Sequence, residues 1–255
     1  MTLPAATPEL FHFHRSHYNE KARWGLDYKR VPHVRRALLP GPHRLTTMRI
    51  SGQPTVPLLR VGDETIAGSG RILEWLESAY PDPPLYPAAA AERQRAVDLQ
   101  RWLDDEVGPA VRRALFWEIL PDGAYVAAVF AGPEPAWKRA LYRAMVPAIR
   151  VVMRREMDVT AERSAEARET VSAALDRVQR ELSPAGFLVG DAFTVADLAA
   201  AALLALTVRL PGTPMAVPEP LPRAARDWYA LWSDHPTTEW IRGIYARYRG
   251  TSAAI

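Results

Sequence analysis

The chain contains no cysteine. Disulfides, thiolate metal sites and redox catalysis by a protein thiol are therefore excluded. No apolar run approaches the ~20 residues that span a bilayer, so no membrane partner is expected. Lysine is scarce and arginine abundant, yet the formal net charge is only +3. Charges of both signs are interspersed rather than gathered into a basic stripe, which argues against a nucleic-acid partner. Met1 to Thr7 lack a basic stretch followed by an apolar core, so no secretory signal is read there and a cytoplasmic location is expected. What is present is 255 residues, 48% hydrophobic and 24% charged, enough for two modest domains with buried cores.

The first third alternates between strand and helix patterns. Glu9 to His14 reads as a strand. Ser16 opens a helix to about Lys29, with Tyr18, Ala22, Gly25, Leu26 and Lys29 at helical spacing. Val34 to Leu39 is a second strand, followed by a Pro40-Gly41-Pro42 loop and a weak helical stretch over His43 to Ile50. Thr55 to Val61 reads as a third strand despite Pro57. Gly62-Asp63 turns the chain into a short strand, Glu64 to Ala67, and Ser69 caps a helix carrying Ile72, Leu73, Trp75, Leu76 and Tyr80. The order βαβαββα predicts a mixed sheet covered by helices.

Pro81 to Pro87 is too proline-rich for a helix and marks a linker. Everything beyond it is helical in pattern. One long helix is expected over Glu92 to Ile119. Another is expected over Pro135 to Met157, kinked at Pro147. Further helices are expected over Glu162 to Leu182, Thr194 to Leu206, Arg223 to Ser233 and Thr237 to Tyr248. Leu120 to Ala136, containing glycine and proline, is expected to be a loop. Pro211 to Pro222 holds five prolines and is a loop as well. Thr194 to Asp197 forms a Thr-x-x-Asp capping box with Phe193 as staple, a folding signal rather than chemistry.

Ser16 stands where a strand ends and a helix begins, and this placement has two readings. As an N-cap it satisfies backbone amides. Alternatively, the free amides and partial positive charge of the helix end favour an anion there. A free thiol with a pKa near ~8.5 is roughly 3% thiolate at pH 7; a drop of about two units takes it past half. Asn19 is either a solvated first-turn residue or a donor to the same place. Tyr18 either reaches that pocket or packs. The Val56-Pro57 bond is expected to be cis, unless Pro57 simply sits at a sheet edge. Ser69 opens a helix whose amides can hold a carboxylate; Arg71 is expected to be solvated. His12 and His14 alternate on a strand without a third metal ligand, so structural roles and no metal are expected. His17 and His43 are expected to be exposed or at a pocket rim. Trp102, Phe116, Trp117, Tyr125 and Phe130 are core or ligand wall.

Ser16-His17-Tyr18-Asn19-Glu20-Lys21-Ala22-Arg23-Trp24, then Thr55-Val56-Pro57-Leu58-Leu59, then Gly190-Asp191-Ala192-Phe193-Thr194-Val195-Ala196-Asp197 occur in an order and spacing that resemble the cytosolic glutathione transferase family. Gly68-Ser69 is a weaker fourth match. The resemblance covers roughly Glu9 to Tyr248. It implies an α/β plus all-α protein. A thioredoxin-like, glutathione-binding domain would span residues 1–86, a linker about 81–91, and an all-helical glutathione-transferase C-terminal domain 92–255. It also implies a set of partners: glutathione as co-substrate, a small hydrophobic electrophile, and a second copy in a homodimer. Ser16 would be the catalytic residue that stabilises the glutathione thiolate. Ser16, Tyr18, Asn19, Val56, Pro57, Gly68, Ser69 and Gly70 would form the glutathione site, with Val56 offering its backbone like an added strand and Ser69 holding the γ-glutamyl carboxylate. The family usually carries an acidic residue or Gln where this chain has Gly68. That departure keeps open an alternative, a non-catalytic binding or regulatory module on the same fold. Glutathione-dependent disulfide reduction normally uses Cys at the position of Ser16 and is not expected.

Overall fold

The computed structural model describes residues 6–255. Met1–Ala5, part of the segment read above for a secretory signal, lie outside the described residues. The chain begins with β1 (Glu9–His12), α1 (His17–Tyr28), β2 (Val34–Ala37), α2 (His43–Ser51), β3 (Leu58–Val61), β4 (Glu64–Ala67) and α3 (Ser69–Ala79). The sheet order is β2-β1-β3-β4, with β1 parallel to β2 and antiparallel to β3, and β3 antiparallel to β4. Leu10 pairs with Arg35 on one side and Leu59 on the other. This is the mixed sheet expected from the βαβαββα pattern. Leu10, Leu59, Ala22, Leu26, Ile72, Leu73 and Leu76 lie in its core, fully buried where the sheet meets α1 and α3. Burial of such side chains stabilises by about 1.5–3 kcal/mol each.

Two expectations are corrected here. The third strand starts at Leu58, not Thr55. Pro57 therefore precedes the ladder instead of interrupting it, which suits a residue with no N–H to donate. Ser69 is the first residue of α3, and Gly68 holds the cap position.

Beyond the linker all elements are helical. They are α4 (Ala90–Trp102), α5 (Gly108–Ile119), α6 (Gly123–Ala131), α7 (Ala136–Glu156), α8 (Ala161–Glu181), α9 (Val195–Leu204), α10 (Arg223–Ala230) and α11 (Pro236–Tyr248). The helix expected over Glu92 to Ile119 is divided: a π-helical turn, Leu103–Val107, separates α4 from α5. Pro109 explains the break. It has no N–H for the carbonyl of residue 105, so a regular α-ladder loses a rung there, and the widened turn sits just ahead of it. The loop expected over Leu120 to Ala136 is also corrected, since it contains α6. The Asp122 carboxylate caps that helix, accepting the Tyr125 N–H at 2.9 Å. α7 runs on through Pro147.

α9 is buried at every position and opens on the Thr194–Asp197 capping box. The Asp197 carboxylate accepts the Thr194 N–H at 2.8 Å and the Leu188 N–H at 2.8 Å. Phe193 stacks on Tyr248 at 4.4 Å and lies beside Trp24 and Tyr28 of α1, so it joins the two halves of the molecule. The linker is held by side chains as well. Lys29 donates to the carbonyls of Tyr80 at 2.7 Å and Pro83 at 2.9 Å, and Glu77 accepts the Leu85 N–H at 3.0 Å.

α1 is covered on all sides. Every residue from Asn19 to Asp27 is buried, including four charged ones. Each of those charges is paired. Glu20 meets Arg23 and Arg249, Lys21 meets Asp104, and Asp27 meets Arg35 and Arg249. No helix among the described residues is long and apolar enough to cross a membrane.

Candidate functional site

A cavity of about 670 Å³ lies between the sheet domain and the helices. The loop from β1 into α1, the Pro40–Arg44 turn and Pro54–Val56 form one wall. α5, α6 and α7 form the other, through residues such as Phe116, Phe130 and Met153. Most of this lining is apolar.

Ser16 occupies the N-cap position of α1 with extended backbone (φ −146, ψ 127), and its side chain makes no capping bond. Its carbonyl accepts the Glu20 N–H at 2.7 Å. The hydroxyl is thus unengaged, half-buried and on the cavity wall. The Tyr18 ring also lies on the wall, but its hydroxyl donates to the Asp104 carbonyl at 2.6 Å. Burial pushes that phenol well above its ordinary pKa, so it stays protonated.

Asn19 departs from both readings given to it. It is buried, lies off the cavity wall, and its Oδ1 has no partner among the described residues. The reason is the enclosure of α1, which leaves neither solvent nor cavity beside this position. Val56-Pro57 is a cis peptide. Val56 lies on the wall, and its N–H and C=O have no backbone partner among the described residues. Pro57 lies behind it and accepts the Gly68 N–H at 3.0 Å.

Gly68, Ser69 and Gly70 follow on from that bond but do not reach the cavity wall. Gly68 has φ +93, a conformation that favours glycine, and a Cβ there would meet nothing within 4 Å. The Ser69 hydroxyl has no hydrogen-bond partner among the described residues in its buried setting. Gly70 packs on the helical half; a Cβ there would lie 3.1 Å from both Asp104 Oδ2 and Gln100 Nε2. Arg71 is exposed.

The histidines separate by environment. Arg23 donates to His12 Nδ1 at 3.0 Å, and burial lowers the His12 imidazole pKa to about 3. His14 turns toward Glu134, 3.6 Å away. His17 corrects its expectation, being fully buried with Nε2 3.0 Å from the Gly108 carbonyl and its pKa lowered to about 3 by burial. His43 is half-buried at the cavity and packs on Phe13. No group of three potential ligands among the described residues is placed to hold a metal. Of the aromatic candidates, Phe116, Tyr125 and Phe130 line the cavity. Trp102 packs outside it under Arg177, and Trp117 lies against the core.

The sequence reading missed the arginines of the cavity wall. Arg15 donates to the carbonyls of Val129 at 2.7 Å and Ala216 at 2.6 Å, tying the β1–α1 loop to the helical half. Arg44 is paired with Glu156. Arg112 stands on α5 one turn before Leu115 and Phe116. A signal for it was available: positions 112, 115, 116 and 119 share one helix face, and three of them are apolar.

The glutathione S-transferase N-terminal domain model matches residues 10–84, and the glutathione S-transferase C-terminal domain model matches residues 161–234. A maleylpyruvate isomerase from Ralstonia sp. is 33% identical over 110 residues, which are 42% of this chain and 52% of that protein. The chain thus spans about half the length of this curated relative. A solved glutathione S-transferase from Methylobacterium radiotolerans, in complex with glutathione sulfonate, is 22% identical. It superposes with a TM-score of 0.64 over 95% of this chain and 92% of its own. A second, from Rhodospirillum rubrum, is 23% identical with a TM-score of 0.59 over 92% and 91%. At these identities the solved structures establish the shared fold.

Proposed function

The chain belongs to the glutathione S-transferase family, and from that premise we propose that it is an enzyme that activates the thiol of glutathione for attack on a small electrophile. One observation carries this reading: the Ser16 hydroxyl lies at the N-terminal end of α1, unengaged by any described residue, on the wall of a large cavity. Glutathione would lie with its cysteinyl backbone against Val56 and its γ-glutamyl end toward Gly68, Ser69 and Gly70. The Ser16 hydroxyl donates to the thiolate, and the helix end adds a favourable field. The apolar remainder of the cavity holds the electrophile. Catalysis is then thiol activation plus positioning. Conjugation, dehalogenation and isomerisation all start from that thiolate. The partial likeness to a maleylpyruvate isomerase supports keeping isomerisation among them. A homodimer, a cytoplasmic setting and a role in detoxification accompany this reading.

Gly68 favours a second reading, a binding module without catalysis, because it lacks a side chain where the family usually carries an acid or Gln. Calorimetric titration with reduced glutathione separates the two. Saturable binding at micromolar to low-millimolar concentration is expected for the transferase, and absence of binding in that range rejects it. In the complex, ultraviolet absorbance of the thiolate against pH should show a depressed thiol pKa. Ser16→Ala should raise it by about one to two units and slow turnover at neutral pH roughly 10–100-fold, with glutathione affinity nearly unchanged. Unchanged turnover in Ser16→Ala would place the activation elsewhere.

A further inference from the structure

Three arginines line the cavity, and two are already engaged. Arg15 is spent on backbone carbonyls, and Arg44 on Glu156. Arg112 makes no hydrogen bond and no ion pair among the described residues. Its Nε is shut away from water without a partner. The face of the Tyr18 ring lies 5.9 Å from its guanidinium carbon. Asp104 touches Tyr18 through its carbonyl, but its carboxylate is taken by Lys21 at 2.6 Å. His17, beside Arg112, is neutral and offers no anion. Beyond Arg112 the same helix face continues with Leu115, Phe116 and Ile119, all on the cavity wall.

Arg112 is half-buried, and shutting its Nε away with no counter-ion among the described residues is costly, a cost proteins seldom keep without a use. Its planar fork matches a carboxylate in bidentate fashion. We propose that Arg112 is the anion-binding residue of this cavity and that it receives a small molecule with a carboxylate at one end and an apolar body against Leu115 and Phe116. Resting on the transferase reading, this makes the electrophile an organic acid rather than a neutral hydrophobe.

trans-Cinnamate and trans-cinnamamide, equal in shape and different in charge, test this by calorimetry on the full chain. Neither needs glutathione, so the test stands apart from the transferase reading, which fails separately if glutathione does not bind. Wild type should bind the carboxylate at least about tenfold more tightly than the amide. Arg112→Met should lose that preference, Arg112→Lys should keep part of it, and glutathione affinity should be the same in all three. Because Arg112 makes no hydrogen bond and no ion pair among the described residues, the Met variant should fold with an unlowered melting temperature. Should it not fold, Arg112→Lys decides, with a preference at least about threefold below wild type. The proposal is overturned if wild type binds neither probe or both equally. It is likewise overturned if the preference survives in Arg112→Met, or if that variant loses glutathione affinity tenfold, which would assign the guanidinium to glutathione.

Discussion

Ser16 and Tyr18 sit two residues apart on one cavity wall, yet their hydroxyls are in different states. The Ser16 hydroxyl donates to nothing among the described residues, whereas Tyr18 is fixed on the Asp104 carbonyl. Tyr18→Phe should therefore cost about 1 kcal/mol of stability in denaturant unfolding and leave the pKa of bound glutathione alone. A shift in that pKa as large as the one from Ser16→Ala would give Tyr18 the role assigned here to Ser16. At this scale the sequence displays residues whose meaning is local. The start of a helix at Ser16 and the bond before Pro57 can be seen in a few letters. Arg112 cannot, because its meaning lies in the absence of a partner, and partners come from distant parts of the chain. Asn19 misled for the same reason. A first-turn Asn is usually solvated, and only the surrounding helices remove the solvent.

Among elements, hydrophobic period was a good guide wherever one face is buried, as in α3 and α8. It failed where glycine and proline lie at helix ends instead of between helices. Gly123 and Gly132 bracket α6, whose apolar residues were therefore read as a loop. Pro109 was overlooked inside a periodic stretch and coincides with the π-helical turn. The contact between α1 and α3 depends on one small residue. A Cβ on Gly25 would lie 2.1 Å from a Leu73 methyl and 3.2 Å from a Leu76 methyl. Gly25→Ala should cost roughly 1–3 kcal/mol through overpacking. Adding Leu73→Ala should bring a loss smaller than the sum of the two single variants, measured by chemical denaturation. Additive losses would mean that the helices move apart instead.

For the molecule as a whole, the two halves are joined by buried charge as much as by apolar contact. Arg249, just after α11, donates to Glu20 at 2.6 Å and to Asp27 at 2.9 Å. Arg249→Ala leaves both carboxylates short of a partner and should destabilise by about 3–5 kcal/mol. The histidines add a dependence on pH. His12 and His17 have pKa values near 3 when folded, against roughly 6.5 in an unfolded chain. As pH falls below about 6.5 the unfolded chain takes up protons first. Stability should then drop by up to about 1.4 kcal/mol per pH unit for each histidine until pH approaches 3. Asp197 opposes this. Burial raises its folded pKa to about 6, so between about pH 6 and 4 the folded state gains a proton that the unfolded chain does not. Two histidines outweigh one aspartate, and urea midpoints should fall from pH 7.5 to 5.5. His17→Gln should flatten that slope; an unchanged slope would show that His17 carries a proton in the fold.

The encased helix α1 has a consequence for motion. An element with packed neighbours on every side has no cheap way to open, so its amides can exchange with deuterium only when the sheet and the helical half come apart together. Ser16 is mounted on the end of that element. The backbone that carries its hydroxyl is therefore fixed at that end by the packing of α1. Ligand-induced adjustment falls to the opposite wall, formed in part by Ile149, Val152 and Met153 of α7, a helix that elsewhere presents Trp137 and Leu141 largely uncovered to solvent. Deuterium uptake should accordingly be slowest in α1 and fastest along α7, a contrast between an anvil and the wall that moves against it.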